Sequence, residues 1–540
     1  MPSGPTRSDT RRRWLFLGSW MVGWAALACW RWAREPYLLD DAFISFRYAR
    51  NLVEGHGLVY NPGERVEGYT NFLWTLFAAG FLRIGIDPFI GTRILGVGSY
   101  LVSTAAVSWL IVRDPLPRPI WKHVSPALAP LALILPAGYA SFAGTGMETS
   151  FVGLLGLAVA WRGFLQPPRT RRARVIFAAL TGALVATRLD CVPWVALAAG
   201  VTLWHPFARE PEAAPLRAHR VATLRLFAPA AAVLAALLIG RFWYYGALLP
   251  NTYYAKVEGL QGLTIGWLYL KAYLAGSPQV FVCLGLMTAG LVLAESGNVR
   301  RFILYAVLCT GLHALYVVTV GGDFMHYRLM FHVYPLLVAA AIAGLVVVDR
   351  KHALIGLVSS SALVISSLAP SVLDTQYHME SLEEMYRCCG LPGIAYGRRL
   401  KQVLPPDTVI ATTMAGGIAY YSGLITIDQL GLTDREVARH GVVAKPIRRG
   451  HLKRASTAYL ASRGVNLVIH HPRVFSCRQP RTLGAGANVF IRMEGDVCLR
   501  TRYLTPTPEL SRLFCSRPDA FVVRGIDCEA VLRSAGIAEP

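Results

Sequence analysis

Two adjacent aspartates, Asp40 and Asp41, open the stretch "DDAFISFRYARNLVEGHGLVYNPGERVEGYTNFLW" and follow an apolar segment that ends near Trp32. Neighbouring carboxylates repel, and each raises the pKa of the other. Such a pair suits a general base, alone or with a divalent cation such as Mg²⁺, Mn²⁺ or Ca²⁺. The structural alternative is that one aspartate caps the helix predicted to follow it, which accounts for only one of the two.

A second group of candidates lies in "RFWYYGALLPNTYYAK". Its turn signal "LPNT" would fold two flanking cations back toward the lipid face, where they suit a lipid-linked phosphate. The alternative is a belt of tyrosines and extended cations at the membrane surface. The candidate binding residues here are Arg241, Tyr244, Tyr245, Asn251, Tyr253, Tyr254 and Lys256.

Three shorter motifs, "GTGMETS", "ATRLD" and "GGDFMHYR", add further polar residues. The paired glycines of the last motif permit close backbone approach. The candidates are Glu148, Arg188, Asp190, Asp323, His326 and Arg328. For the first two motifs an interhelical ion pair is the alternative. His313 and His332 lie in apolar runs and are predicted to be packed histidines.

The elements that must position these residues are membrane helices. The chain of 540 residues is 54% hydrophobic and 16% charged, too apolar for an ordinary soluble protein. Its apolar runs have the length that crosses a hydrocarbon core of roughly 30 Å. We predict eleven spans, at 14–30, 89–112, 124–142, 150–165, 175–188, 191–205, 224–243, 278–295, 302–320, 329–348 and 353–370. The helix after Asp41 and the short run 70–84 are predicted to lie at the membrane surface.

The charge distribution predicts the orientation. Lys and Arg concentrate in alternate loops, so the N-terminus, a retained signal anchor, is predicted to be cytoplasmic. Every polar motif above then falls on the extracytoplasmic side. The net charge of +22 is explained by these loops, which argues against a nucleic-acid partner. The sequence has no Walker loop and no Gly-x-Gly-x-x-Gly motif between strand and helix, so it has no recognisable nucleotide site. If the site transfers a group, the molecule that donates the group is therefore predicted to be a lipid rather than a nucleotide.

A second domain is predicted from near Pro370, where the apolar runs shorten. The chain thus divides into a transmembrane domain, 1–370, and an extracytoplasmic α/β domain, 371–540. "TVIATT", "LITID" and "NLVIHH" predict strands with some parallel pairing. Six cysteines predict disulfides whose connectivity the sequence leaves open, namely Cys388, Cys389, Cys477, Cys498, Cys515 and Cys528.

The motifs "DDAFISF…NFLW", "GMETS", "YYGALLPNTYYAK" and "GGDFMHYR" together resemble the GT-C membrane glycosyltransferases. They are most similar to the branch of the mycobacterial terminal β-(1→2) arabinofuranosyltransferase, and "YYSGLITIDQLGLTDREVA" resembles the outer domain of that branch. The resemblance implies a multi-pass plasma-membrane enzyme that transfers a sugar from polyprenyl phosphate to a cell-envelope glycan. The chain has "RLD" where the family pattern has Arg-Pro-Asp, so the sugar, expected to be arabinofuranose, and the acceptor stay open.

The resemblance also implies roles. An acidic residue in the first outer loop is catalytic in such enzymes, which maps to Asp40 or Asp41. We further expect the cations Arg241, Lys256 and Arg328 to neutralise the leaving phosphate. Glu148, Asp190 and Asp323 would bind sugar hydroxyls or a metal, and the other candidates are predicted to bind substrate. One alternative keeps the fold and transfers a hexose or aminoarabinose to lipid A, a glycolipid or protein. Another is a transporter or flippase of envelope lipids, although transporters often show internal repeats and charges deep in the membrane.

Overall fold

A computed structural model describes residues 37–112, 131–204, 216–256, 259–295, 297–368, 381–448, 451–471, 474–478 and 486–535, together with Val22, Ala26 and Trp32. Its first part is helical and its second part is built on a β-sheet. The predicted span 14–30 lies outside the described residues apart from Val22 and Ala26, and so does the start of the predicted span at 124.

The helical part contains sixteen described α-helices. They are α1 Asp40–Val53, α2 Phe72–Arg83, α3 Pro88–Val112, α4 Leu131–Ile134, α5 Ala137–Phe142, α6 Thr149–Ala160, α7 Arg171–Thr187, α8 Val192–Leu203, α9 Leu216–Tyr245, α10 Asn251–Lys256, α11 Gly259–Gly276, α12 Gln279–Leu293, α13 Gly297–Thr319, α14 Arg328–Phe331, α15 Tyr334–Lys351 and α16 Ala353–Leu368. Most of them share one apolar core in which α15 is almost fully buried.

Three described helices are long and apolar enough by themselves to cross a membrane: Pro88–Leu110, Arg217–Tyr245 and Gly297–Thr319. Gly262–Gly276 and Gln279–Leu293 form a fourth candidate that is bent by 85°. Phe72–Arg83, Thr149–Leu165, Leu189–Leu203 and Ala353–Leu368 are shorter apolar helices. The helical membrane architecture is therefore present, while the number of eleven spans stays a prediction.

Prolines explain where the helices depart from the predicted spans. The predicted spans do not include Gly259–Gly276, which ends just before Pro278, where the chain turns sharply into the next helix. Pro136 separates α4 from α5 within the predicted span 124–142. Pro335 stands in the first turn of α15, so this helix begins after residue 329. Proline lacks the amide hydrogen that a helix interior requires, and it disfavours helical geometry in the preceding residue.

The first helix, α1, lies inside the protein and not on a surface, which corrects the prediction of an interfacial helix. Nine of its residues are buried, including Arg47 at 5% exposure. It packs against α2 on one side and against the second domain on the other. The apolar stripe that suggested membrane contact is therefore covered by protein. Gly55 and Gly57, both at positive φ, follow the end of the helix.

The second part is an α/β domain with β1 Val409–Thr412, β2 Ile425–Asp428, β3 Val442–Arg448, β4 His451–Arg454, β5 Leu467–His470, β6 Val474–Ser476, β7 Asn488–Arg492, β8 Val497–Tyr503 and β9 Phe521–Arg524. Its described helices are α17 Leu382–Met385, α18 Leu391–Val403, α19 Gly417–Ser422, α20 Arg435–His440, α21 Thr457–Ser462, α22 Pro508–Ser516 and α23 Cys528–Ser534.

The seven-stranded sheet has the order β2-β1-β5-β8-β7-β9, with β6 also paired to β8, and β3 and β4 form a separate hairpin. The three strands predicted from sequence are β1, β2 and β5, and they pair in parallel. The other pairs in the sheet are antiparallel. The six cysteines form three disulfides, Cys388–Cys389, Cys477–Cys498 and Cys515–Cys528, as predicted.

Candidate functional site

A cavity of about 360 Å³ is lined by α1, by loops and helix ends of the helical part and by one loop of the second domain. We call it the central cavity. It gathers residues from every motif that the sequence singled out. The predicted site residues that line it are Asp41, Glu148, Arg188, Asp190, Arg241, Tyr253, Lys256, Asp323 and Arg328. Those that do not line it are Asp40, Tyr244, Tyr245, Asn251, Tyr254 and His326.

Arg328 is the centre of one charged cluster in the central cavity. Its Nη2 lies 2.5 Å from Asp323 Oδ2, and its Nη1 lies 3.4 Å from Asp41 Oδ2. Asp323 is buried, whereas the Asp41 side chain keeps 23% exposure. Burial raises the pKa of the Asp41 carboxyl, and the nearby Arg328 and Lys256 cations oppose that rise. Asp41 is thus an accessible carboxylate with one long ionic contact, a suitable arrangement for a group that accepts a proton.

The backbone before Arg328 is shaped for this cluster. Gly321 and Gly322 have positive φ, and a Cβ at Gly322 would overlap the ring of Tyr269. The glycine is therefore required for close approach, as the sequence predicts. Tyr327 also adopts positive φ, at 52°, directly before Arg328. This short turn brings the Asp323 carboxylate and the Arg328 guanidinium together.

Arg188 is the centre of a second cluster, which is an ion-pair network. Its Nη1 lies 2.7 Å from Glu148 Oε1, and its Nε and Nη2 donate to both oxygens of Asp190 at 2.8 and 3.0 Å. Asn71 Nδ2 donates to the other Glu148 oxygen at 2.8 Å. The alternative of an interhelical ion pair is therefore present in the structure. Because the network also lines the central cavity, it holds a fixed polar wall there.

Two further cations face the central cavity. The Arg241 guanidinium lies 2.9 Å from the carboxylate of Glu67, and both side chains are almost fully buried. Its Nη1 has no hydrogen-bond partner within the described structure. Lys256 differs, because no carboxylate among the described residues pairs with its ammonium group. Lys256 is thus the cation in the central cavity whose charge is available to a ligand.

Asp40 does not enter the central cavity, and this corrects the prediction of a joint site with Asp41. Its Oδ2 accepts a hydrogen bond from Gly416 N at 2.9 Å, and its Oδ1 accepts one from Gly417 N at 2.7 Å. These amides begin α19, so Asp40 caps a helix of the other domain; Leu39, not an aspartate, is the N-cap of α1. A metal ion shared by the Asp40 and Asp41 carboxylates does not fit this arrangement.

Four residues of the second candidate group do not line the central cavity and contact other parts of the protein instead. Asn251 Nδ2 donates to the carbonyl oxygens of Gly431, Leu432 and Asp434 at 2.8, 3.2 and 3.0 Å. Tyr245 donates to Leu58 O at 2.7 Å. The Tyr254 ring lies under the guanidinium of Arg439, and Tyr244 lies under that of Arg65. Of the four tyrosines, Tyr253 faces the central cavity.

Three histidines, His313, His326 and His332, are packing residues in the structure. The ring of His326 is tilted against those of Tyr327 and Phe331 and lies against Gly138, away from the central cavity. His313 and His332 are 1% exposed, as predicted for packed histidines.

The structure brings several residues to the site that the sequence motifs did not single out. Asn71 orients Glu148, Glu67 pairs with Arg241, and Leu432 of the second domain forms part of the cavity wall. A partial signal for Glu67 and Asn71 was their place in "VEGYTNFLW", within the opening stretch. Leu432 carried no chemical signal, because an apolar residue in a loop is ordinary.

The fold matches a class of membrane proteins. The chain superposes on ArnT from Cupriavidus metallidurans, solved with bound undecaprenyl phosphate, with a TM-score of 0.50 and 13% sequence identity over 91% of this chain and 99% of that chain. This protein therefore has the fold of the GT-C membrane glycosyltransferases, as the motifs predicted.

Two curated relatives are similar in sequence, and both are named terminal β-(1→2)-arabinofuranosyltransferase. The protein of Corynebacterium glutamicum is 27% identical over 357 residues, 59% of this chain and 49% of the relative. That of Mycobacterium tuberculosis is 28% identical over 367 residues, 61% of this chain and 55% of the relative. The chain thus spans about half the length of the curated relatives it matches. Residues 376–514 match a family model described as a domain of unknown function, DUF8728.

Proposed function

We propose that this protein is a plasma-membrane glycosyltransferase that moves a pentose, arabinofuranose, from polyprenyl phosphate to a cell-envelope glycan on the extracytoplasmic side. The observation that carries the proposal is the meeting of Asp41 and Lys256 in one cavity: an accessible carboxylate and a cation without an anionic partner among the described residues. The two curated relatives support the sugar, and the polyprenyl-phosphate ligand of ArnT supports the carrier.

The transfer requires a base and a stabilised leaving group. Asp41 takes the proton from an acceptor hydroxyl, whose oxygen then bonds to the anomeric carbon of the sugar. The bond from that carbon to the phosphate oxygen breaks, and polyprenyl phosphate leaves with one more negative charge. Lys256, with Arg241 and Arg328 beside it, stabilises this charge as it develops, which is the larger catalytic contribution in many enzymes.

The ion-pair network around Arg188 has a different role in this proposal. Glu148 and Asp190 keep carboxylate oxygens at the cavity wall in fixed positions. Carboxylates held in this way accept hydrogen bonds from sugar hydroxyls without a further loss of side-chain freedom. Glu148, Asp190 and Asn71 therefore bind and orient the sugar, and Arg188 positions them.

The charges around Arg328 bear on whether a divalent cation takes part. Asp41 and Asp323 both contact this guanidinium, so a metal held by these two carboxylates would have to displace it. We therefore assign the positive charge at the phosphate to Lys256, Arg241 and Arg328.

The proposal is tested with purified protein and a panel of polyprenyl-phosphate sugars, following release of polyprenyl phosphate with an envelope glycan as acceptor. The panel contains arabinofuranose, a hexose and aminoarabinose, so that the three donor alternatives are separated. Release from the arabinofuranose donor, and its loss in Asp41→Asn, is the expected result. No release from any donor would overturn the proposal, and movement of intact lipid-linked sugar across vesicles would favour a flippase.

A further inference from the structure

A second, larger cavity lies beside the central cavity, at the junction between the first loop of the helical part and the second domain. It is an open cleft of about 650 Å³, within the usual size range of small-molecule sites. We call it the outer cleft. Its charged lining residues are Glu64, Arg65, Asp434, Arg435, Glu436 and Arg463.

The outer cleft and the central cavity are two sides of one wall. Residues 63–66 line the outer cleft and residues 68–71 line the central cavity, with buried Glu67 between them. The same holds for the second domain, where Leu432 faces the central cavity and residues 434–436 face the outer cleft. Along each segment a single residue, Glu67 or Thr433, separates the two linings. Since successive Cα atoms are about 3.8 Å apart, the wall between the two spaces is thin there.

The chemistry of the outer cleft fits a neutral polyhydroxylated chain. Three arginines and three carboxylates line it and balance in formal charge, which disfavours a phosphate or an acidic polymer. Tyr244, Tyr245 and Tyr459 supply ring surface, which suits the apolar faces of a sugar, and the charged side chains supply hydrogen-bond donors and acceptors for its hydroxyls. Lipid is disfavoured, because charged and polar groups rather than aliphatic side chains dominate the lining.

Cross-links between the domains hold the outer cleft in shape. Arg463 of the second domain pairs with Glu64 of the first loop and lies 3.1 Å from Asp434 Oδ2. Tyr459 Oη donates to Asp434 at 2.8 Å. Arg435 Nη2 donates to Arg65 O at 3.0 Å. A preformed site of this kind loses little conformational freedom on binding.

We propose that the outer cleft binds the acceptor glycan at sugar units beyond the one that reacts. This inference rests on the proposed function, because it assigns the second subsite of the same acceptor. The terminal unit of the glycan enters the central cavity, and the preceding units lie across the wall in the outer cleft. The protein therefore binds a long acceptor more tightly than a short one.

Arg65 is the residue to change. It is exposed, its guanidinium lies 4.8 Å from the ring of Tyr244, and Arg435 contacts only its backbone oxygen, so the Arg65→Ala variant keeps the cross-links. Arg398→Ala is the matched control, since Arg398 is also exposed and lies 5.0 Å from the ring of Tyr421 but is not part of the outer cleft. Glu436→Ala is a second variant on the opposite wall.

The experiment measures binding of a neutral arabinofuranose disaccharide and hexasaccharide to the full-length protein, without donor, by calorimetry. The expected result is that Arg65→Ala and Glu436→Ala each weaken hexasaccharide binding about 10-fold, equivalent to about 1.4 kcal/mol, while disaccharide binding and the control are unchanged. Equal binding of hexasaccharide by wild type and both variants, or equal binding of the two sugars by wild type, would overturn the inference. Because no donor is present, this outcome is distinguishable from failure of the proposed transfer.

Discussion

The Arg328 guanidinium lies 3.4 Å from the Asp41 carboxylate, although the two residues are 287 positions apart in the chain. The contact joins the motif "DDAF" at the start of α1 to the motif "GGDFMHYR" that follows α13. Asp40, one residue earlier, has no part in it and binds two backbone amides of the second domain. Adjacent carboxylates thus have separate environments, and separate roles follow.

Asp41→Asn is expected to lower the rate of sugar transfer at least ~100-fold, the usual contribution of a general base. Asp40→Asn is expected to leave kcat within a few fold, because Asp40 does not line the central cavity. Single-turnover kinetics and thermal unfolding of both variants provide the measurements. Equal losses of kcat in both variants would contradict separate roles.

The stability of the protein is expected to depend on the ionisation of Asp40. Burial raises the pKa of this carboxyl from 3.8 to about 7, against the effect of the Gly417 and Gly416 amides. Since the folded state binds this proton more tightly than the unfolded chain, the stability it contributes is complete below about pH 4 and is lost as pH rises through about 7. Melting temperatures between about pH 5 and pH 8 should fall for wild type and fall less for Asp40→Asn. Exposed Asp407→Asn is the control and should follow wild type.

Lys256→Gln is expected to reduce transfer about 100-fold or more without loss of stability. The reason is that its ammonium has no carboxylate partner among the described residues, so removing it leaves no buried acid unpaired. Lys271→Gln is the matched control, because Lys271 is exposed and lies against Trp267 outside the central cavity. Donor KM, kcat and melting temperature are measured for each. Unchanged transfer in Lys256→Gln would remove this residue from the phosphate site.

Arg241→Gln is expected to destabilise the protein by about 3–5 kcal/mol, because it leaves Glu67 buried and unpaired. Burial already raises the pKa of Glu67 to about 7, with the Arg241 cation holding it down. Arg241→Gln should also reduce sugar transfer, because Arg241 is one of the cations assigned to the phosphate. The double variant Arg241→Gln/Glu67→Gln should recover much of the lost stability, whereas its transfer should stay reduced. Chemical unfolding of the four members of this cycle gives the coupling. Recovery of transfer in the double variant would show that Arg241 acts only through Glu67.

Leu432→Ala is expected to raise the KM for acceptor several fold, because this side chain forms part of the central cavity wall. Leu430 is the matched control: the two leucines lie in the same loop at 9% and 8% exposure, and Leu430 does not line the central cavity. Both changes should reduce stability by a similar amount through lost packing. A parallel change of KM in the two variants would make the effect of Leu432 one of loop stability alone.

Much of the local structure of this protein can be read from its sequence. Its apolar runs predicted a helical membrane part. The strands β1, β2 and β5 were predicted with some parallel pairing, and the six cysteines of the second domain were predicted to form disulfides. These features depend on periodicity and composition over short segments, which the sequence records directly. The inventory of charged candidates was also readable, since buried charge in an apolar chain is unusual.

Which candidates share a cavity depends on how distant segments pack together. Successive residues of a helix point about 100° apart, so Asp40 and Asp41 on α1 face different neighbours, and the sequence gives no direction for either. The partners that separate them come from distant segments: Arg328 from the helical part, and Gly416 and Gly417 from the second domain. Leu432 enters the central cavity for the same reason, because the packing of the two domains determines what each residue faces.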